Sequence, residues 1–211
     1  MKIGVIGAGR IGSLVGRLWV RAGHVVMFSS RHPEQLAGLA AEVGSGASVG
    51  TPADAAAFGE VLLISVPYVT MPDLGRSLAA AIAGKVVLET GNVYPQRDGE
   101  VAREVLDSGL GTGVWSARYL PGARVVRAFN TVWDQTLTKA IAEGTGDRIG
   151  IPLAGDDPAA LDTAAALVRD AGFTPVVVGG LDQAKTFDAG AAVFNTGMSA
   201  DEIKRTLGLA G

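Results

Sequence analysis

The sequence contains no cysteine, which excludes disulfides, thiol nucleophiles and thiolate metal sites. It has only two histidines, His24 and His32, and neither lies late in the chain, where the acid/base histidine of a hydroxy-acid dehydrogenase falls. No unbroken apolar run approaches the roughly 18 residues that mark a membrane span. Gly4 and Gly7 interrupt the kind of apolar stretch that an export signal requires. A net charge of −3 without a basic cluster argues against a nucleic-acid partner. Together these absences lead us to expect a cytoplasmic protein with neither a membrane nor a nucleic-acid partner. The 211 residues, 48% of them hydrophobic, are enough for one α/β domain. We expect that domain over residues 1–180, with 181–211 as a C-terminal extension packed on it.

Glycine, in contrast, is plentiful at 30 residues, and its placement at the start of the chain is informative. A β-branched run at Ile3-Gly4-Val5-Ile6 leads into Gly7-Ala8-Gly9-Arg10-Ile11-Gly12, and the apolar positions that follow, Leu14, Val15, Leu18 and Trp19, have helical spacing. Gly-x-Gly-x-x-Gly arises by chance in a glycine-rich chain, but the strand–turn–helix context is that of a dinucleotide-binding unit. In that unit Gly7 makes the tight turn, Gly9 lets backbone approach a pyrophosphate, and Gly12 lets the helix pack on its strand. The phosphates then face a helix N-terminus, whose free N–H groups favour negative charge.

Further along, His24–Phe28, Val61–Val66, Lys85–Glu89, Ala123–Phe129, Ile149–Ala154 and Thr174–Val178 read as strands. Helices are expected over 33–43, from the Thr51-Pro52-Ala53-Asp54 start, over 71–83, near 100–108, after the Asp157-Pro158 cap and from Ser199 with Glu202. This alternation predicts a doubly wound parallel sheet, the Rossmann NAD(P)-binding fold, with a short C-terminal helical extension. Ligands of such sheets lie at the carboxyl ends of the strands.

An NAD-selecting fold places an acid at the end of the second strand, whereas this chain has Ser29-Ser30-Arg31-His32. Hydroxyls and a guanidinium suit a 2′-phosphate, so Ser30 and Arg31 point to NADP. His32 adds charge beside them in this reading, although a solvated histidine is the commoner case after a strand. Side chains for acid/base chemistry are missing. None of Tyr68, Tyr94 and Tyr119 is followed four residues on by lysine, Lys185 reads as a solvated helix residue, and no metal-ligand set is visible. We therefore single out no catalytic side chain. A flavin or deazaflavin acceptor reconciles a full NADPH site with this lack, because its ring takes the hydride and the protein supplies position.

Taken as an ordered set, Met1 to Gly12, Ser30-Arg31, Ser65-Val66-Pro67, Glu89 to Pro95, Val126 to Thr131 and Ala154 to Pro158 resemble the NADP oxidoreductases dependent on coenzyme F420. The resemblance covers roughly residues 1–180. It implies that Ala8 to Ile11 contact the pyrophosphate and that Ser30 with Arg31 binds the 2′-phosphate. Ser65, Val66 and Pro67 would pass beside the nicotinamide and its ribose. Gly91 and Asn92, with Asn130, Thr131 and Val132, would form the far wall, where F420 or a flavin stacks for hydride transfer. As plain structure, Pro67 ends a strand and the two asparagines are turn residues.

After about residue 180 the sequence departs from that family. Members often continue Gly-Pro-Leu into a long apolar helix, whereas here Gly179-Gly180-Leu181-Asp182 leads to Phe187, Gly190, Phe194 and Gly197. The acceptor is left open by this: F420, another flavin, a quinone or a small imine, with a homodimer expected to complete the lid. Three readings stand. The first is an NADPH-dependent oxidoreductase serving F420 or a flavin-like acceptor. The second is a reductase of a small imine or β-hydroxy acid, for which only about 30 residues remain after the Rossmann unit. The third is a non-catalytic NADPH-binding redox sensor, with a metal-ion reductase relying on an added flavin as a related reading that no metal ligands in the sequence support.

Overall fold

The computed structural model describes residues 1–209. The chain opens with β1 (Lys2–Ile6), α1 (Arg10–Arg21) and β2 (Val25–Ser29), then a short 3₁₀ turn (Pro33–Leu36) that runs into α2 (Ala37–Val43). There follow β3 (Ala47–Gly50), α3 (Pro52–Phe58), β4 (Val61–Ile64), α4 (Met71–Ile82), β5 (Val86–Glu89), α5 (Pro95–Asp107), α6 (Thr112–Tyr119) and β6 (Arg124–Arg127). The last part holds α7 (Asp134–Ala142), β7 (Gly150–Gly155), α8 (Pro158–Asp170), β8 (Thr174–Gly179) and α9 (Ala200–Leu207). The strands form one sheet in the order β3-β2-β1-β4-β5-β6-β7-β8. Its order reverses between β1 and β4, the switch point at which doubly wound sheets open a crevice.

β1 to β6 run parallel, but β7 is antiparallel to β6, with Val126 opposite Gly155, and β8 is parallel to β7. The sheet is therefore mostly parallel rather than parallel throughout, as the alternation had led us to expect. The connection through α7 leaves the chain beyond the carboxyl end of β6, so β7 runs back and only its last residues, Ala154 and Gly155, pair with β6.

Other differences are local. The strand expected over 123–129 ends at Arg127, because Phe129 takes a left-handed backbone conformation (φ 58°). Helix α5 begins at Pro95 rather than near 100 and breaks at Gly99. The expected caps form: Thr51 and Asp54 make a reciprocal capping box, Ser199 and Glu202 make another, and Asp157 accepts from Ala159 and Ala160.

Two apolar layers sandwich the sheet. One packs α1, α7 and α8 on a face rich in Val, Ile and Leu, around the buried Trp19, whose indole N–H donates to the Leu167 carbonyl (2.7 Å). The other packs α3 to α6 on the opposite face. A smaller cluster seats α9 and Phe187 against β7 and β8. Both layers leave the carboxyl ends of β1, β4, β5 and β6 for the loops that carry the site.

Candidate functional site

The three glycines after β1 differ in what surrounds them. Gly7 has φ 94°, and a side chain there would strike the Ser65 carbonyl. The N–H groups of Gly7 and Ala8 both donate to the Ser29 carbonyl (3.3 and 3.0 Å), closing the turn onto β2. A Cβ on Gly12 would fall against the Gly7 carbonyl oxygen, so only glycine lets α1 lie this close to its strand. Gly9, the N-cap of α1, is the opposite case: a Cβ there meets nothing within 4 Å. No side chain caps α1 and its first turn holds no acid. The N–H groups of Arg10, Ile11 and Gly12 thus head a helix beside open space, the arrangement that receives a phosphate. Arg10 is exposed and lies 3.9 Å from Asp134 at the start of α7.

At the end of β2, Ser29 is buried and its hydroxyl donates to the Val5 carbonyl (2.8 Å), so it is structural. Ser30 is half-buried and accepts from the His32 N–H (3.1 Å). Arg31 is exposed and, among the described residues, makes no ion pair or hydrogen bond. His32 is exposed and lies 3.3 Å from the Glu34 carboxylate. An unneutralised guanidinium thus sits one strand away from the glycine turn. Replacing Arg31 with alanine is expected to weaken NADPH binding by about 1.5–3 kcal/mol, the range for hydrogen bonds to charged groups, and to leave NADH nearly unchanged. Titration calorimetry with both nucleotides checks it.

Beyond β4, the Ser65 N–H donates to Ile6 (2.9 Å), Ser65 and Val66 are half-buried, and Pro67 is exposed at the rim. Tyr68 then turns inward and is fully buried, its hydroxyl on the Thr112 carbonyl (3.1 Å) and the Ser116 hydroxyl (3.0 Å). Burial, and then the nearby Glu89 charge, hold this phenol far above its ordinary pKa. Its hydroxyl is engaged inside the fold by Thr112 and Ser116.

Beneath the loops after β5 and β6 lies a charge cluster that sequence reasoning missed. Arg127 is completely buried; it pairs with Glu89, donates to the Gly91 carbonyl (2.6 Å) and reaches Asp188 (3.1 Å). The carboxylate of Glu89 also accepts from the Gly91 N–H and from the Ser116 hydroxyl (2.8 Å), and that of Asp188 accepts from the Thr112 N–H (2.7 Å). Burial opposes the Arg127 charge, but Glu89 and Asp188 outweigh it and its pKa is raised. Both polar groups of the Gly91 backbone are thereby pinned by buried charges. The signal was available: Glu89 and Arg127 are charged residues that directly follow the apolar Val86-Val87-Leu88 and Val125-Val126, and they stand opposite one another in register.

Asn92 and Asn130 join the two loops, the Asn92 amide donating to the Asn130 carbonyl (2.8 Å). Asn130 in turn donates to the Phe187 carbonyl (3.1 Å), and the Asn195 N–H donates to the Thr131 carbonyl (2.7 Å). Asn130, Thr131 and Val132, expected to line an acceptor's wall, are instead buried, the first two bonded to the 187–195 segment and Val132 within the core. The residue of this loop that reaches solvent is Trp133, 60% exposed. The structure therefore brings together the glycine turn, Ser30-Arg31, Ser65 to Pro67 and the Asn92–Asn130 pair along one crest of the sheet, but it withdraws 130–132 from the surface. Among the described residues no cluster of His, Asp or Glu could hold a metal, and no helix is long and apolar enough to cross a membrane.

The fold and this crest define an α/β protein of the doubly wound, Rossmann-like class. Residues 2–93 match the profile of the family described as NADP oxidoreductase, coenzyme F420-dependent, so the resemblance read from the sequence is shown over that stretch. The chain is 27% identical over 188 residues to the metalloreductase STEAP3 of Rattus norvegicus, a match that covers 89% of this chain and 36% of that protein. It thus spans little more than a third of that relative's length.

Among solved structures, a hypothetical protein from Sinorhizobium meliloti superposes with a TM-score of 0.76 at 24% identity, covering 94% of this chain and 95% of its own. A protein from Arthrobacter sp. FB24, described as a candidate F420-dependent NADP reductase, gives 0.73 at 21% identity, covering 94% and 99%. An imine reductase from Myxococcus stipitatus, solved with NAD+, gives 0.62 at 18% identity, covering 88% of this chain and 56% of its own. These structural likenesses establish the fold. The family description names NADP, the nucleotide expected from Ser30-Arg31 in the sequence.

Proposed function

We propose that this chain is an NADP-dependent oxidoreductase that passes a hydride between NADP(H) and coenzyme F420 or a flavin-like ring. The observation that carries the reading is the conjunction of an uncapped, acid-free helix start at Gly9-Arg10 with the unpaired Arg31 just past the neighbouring strand β2. A pyrophosphate fits the first and a 2′-phosphate the second. When bound, NADPH supplies the hydride itself. The chain's own residues then do three things. The helix start holds the phosphates, Ser65 to Pro67 bound the crevice beyond β4, and the Glu89–Arg127 cluster holds the Gly91-Asn92 turn rigid at the end of β5.

A planar ring acceptor is favoured over an imine or a hydroxy acid by the side chains at this crest. Tyr68 is buried and held neutral, Asp98 is buried and paired with Arg97, and Asp134 lies beside Arg10. No well-placed acid is left there to protonate a carbonyl or an amine. The likeness to a metalloreductase keeps a second reading in place, in which the reduced ring hands its electrons on to a metal ion as substrate.

Loss of nicotinamide absorbance with NADPH and, in turn, F420, FMN and a quinone tests the proposal. Turnover with F420 or FMN is expected. NADPH binding without turnover on any acceptor would instead favour a redox sensor.

A further inference from the structure

Large apolar side chains exposed to water are few, and three of them gather at one place. Val69 (41% exposed), Tyr94 (39%) and Trp133 (60%) follow the carboxyl ends of β4, β5 and β6, which are adjacent in the sheet. Hydrogen bonds tie the first two to one carboxylate, and sequence neighbours of Trp133 join it to the same rim. The N–H groups of Val69 and Tyr94 donate to the two oxygens of the Asp98 carboxylate (3.2 and 2.8 Å). Tyr94 lies two residues beyond Asn92, and Trp133 three beyond Asn130, the pair that joins the two loops. Asp134, next to Trp133, reaches Arg10 of the glycine turn. The rim therefore runs from the β4 loop around to the start of α1, bordering the crevice in which the proposed function places the nicotinamide.

Nothing in the fold requires these side chains to be apolar. Trp133 is the N-cap of α7, a position where serine, threonine or aspartate would serve the helix better, and it caps nothing. Tyr94 has the Arg97 guanidinium stacked on its ring at 4.9 Å, which props the phenol in place. By contrast Trp115, on the outer helical layer, lies under Arg118 (4.8 Å), donates its N–H to Ser108 (2.7 Å) and stays partly buried. Two aromatic rings presented to solvent beside a nicotinamide crevice recognise a flat, apolar-faced partner, because offset stacking rewards planarity and large contact area.

We propose that Trp133 and Tyr94 form the stacking platform for the hydride acceptor, and that the acceptor is a planar fused-ring molecule of the flavin or deazaflavin class. This rests on the proposed function and adds the residues that select the acceptor. The platform also accounts for the burial of 130–132: that segment is the anchored base from which Trp133 projects, and it is not itself the wall.

The test uses riboflavin and 5-deazariboflavin, which carry the ring without an anionic tail, titrated into the full chain saturated with NADP+ and followed by quenching of tryptophan emission and by calorimetry. Trp133→Ala should weaken both ligands at least tenfold, Trp133→Phe by no more than about threefold, and NADP+ affinity should be unchanged in both variants. In steady-state assays with FMN the alanine variant should raise KM far more than it lowers kcat. Unaltered riboflavin affinity in Trp133→Ala, or no riboflavin binding to the parent chain, overturns the platform, as does a parent dimer that Trp133→Ala turns into a monomer. If the parent reduces FMN while Trp133→Ala binds riboflavin normally, the platform fails and the oxidoreductase reading stands. Binding that depends on Trp133 without any reduction leaves the platform in place and removes that reading.

Discussion

Replacing Arg127 with methionine is expected to destabilise the chain by about 3–5 kcal/mol, the range for removing one partner of a buried ion pair. The guanidinium is completely buried and faces two carboxylates, Glu89 and Asp188. Methionine fills much of the same volume, so the loss comes mainly from leaving Glu89 buried without its cation and the Gly91 carbonyl without its donor. Glu89→Gln in the same background should recover part of the loss, because the amide keeps an acceptor for the Gly91 N–H without the unpaired charge. Chemical denaturation of Arg127→Met, of Glu89→Gln alone and of the double variant measures this. A double variant whose cost equals the sum of the single costs would show that the two residues do not act as a unit.

The second large effect is expected at Gly12. A Cβ there meets the Gly7 carbonyl and lies 3.2 Å from the Val5 side chain, and the first of these is backbone that cannot rotate away. In Gly12→Ala the helix start must therefore lift from β1, at about 1–3 kcal/mol by the usual cost of overpacking. The displaced N–H groups no longer converge on the pyrophosphate, so NADPH affinity should fall more than tenfold. Gly9→Ala separates the two effects. Its Cβ meets no protein atom within 4 Å, so the apo chain should unfold at its usual temperature while the NADPH-induced rise in Tm shrinks. Equal loss of apo stability in the two variants would contradict the roles assigned here.

Features set by a few consecutive residues were legible in the sequence. The β1–α1 unit, the Thr51 and Ser199 capping boxes and the Asp157 cap each depend on side chains within four positions of one another. β3 was not read as a strand, because Ala47-Ser48-Val49-Gly50 has neither an apolar run nor clear alternation, and it is held by its pairing with β2. α6 and α7 were passed over because their apolar positions are few and their starts carry no capping side chain.

The direction of β7 could not be read either. An apolar run such as Ile149 to Ala154 is the same pattern in both directions, and its orientation is set by the path of the chain through α7. For the site, Ser30, Arg31 and the glycine turn stood out because their chemistry is local. The Glu89–Arg127–Asp188 cluster joins positions up to 99 apart and becomes visible only when strand register is considered. Trp133 carries no signal in the sequence, because what sets it apart from Asn130-Thr131 is its exposure.

The proposed NADP-binding roles depend on the Ser30-Arg31 turn past β2 accepting a phosphate on the adenosine ribose. Calorimetric titration of the unmodified chain with NADPH and with NADH, at matched salt, tests that most directly. The account predicts that NADPH binds at least tenfold more tightly and that the difference shrinks as ionic strength rises, because Arg31 is exposed. Equal affinities, or tighter binding of NADH, would contradict it.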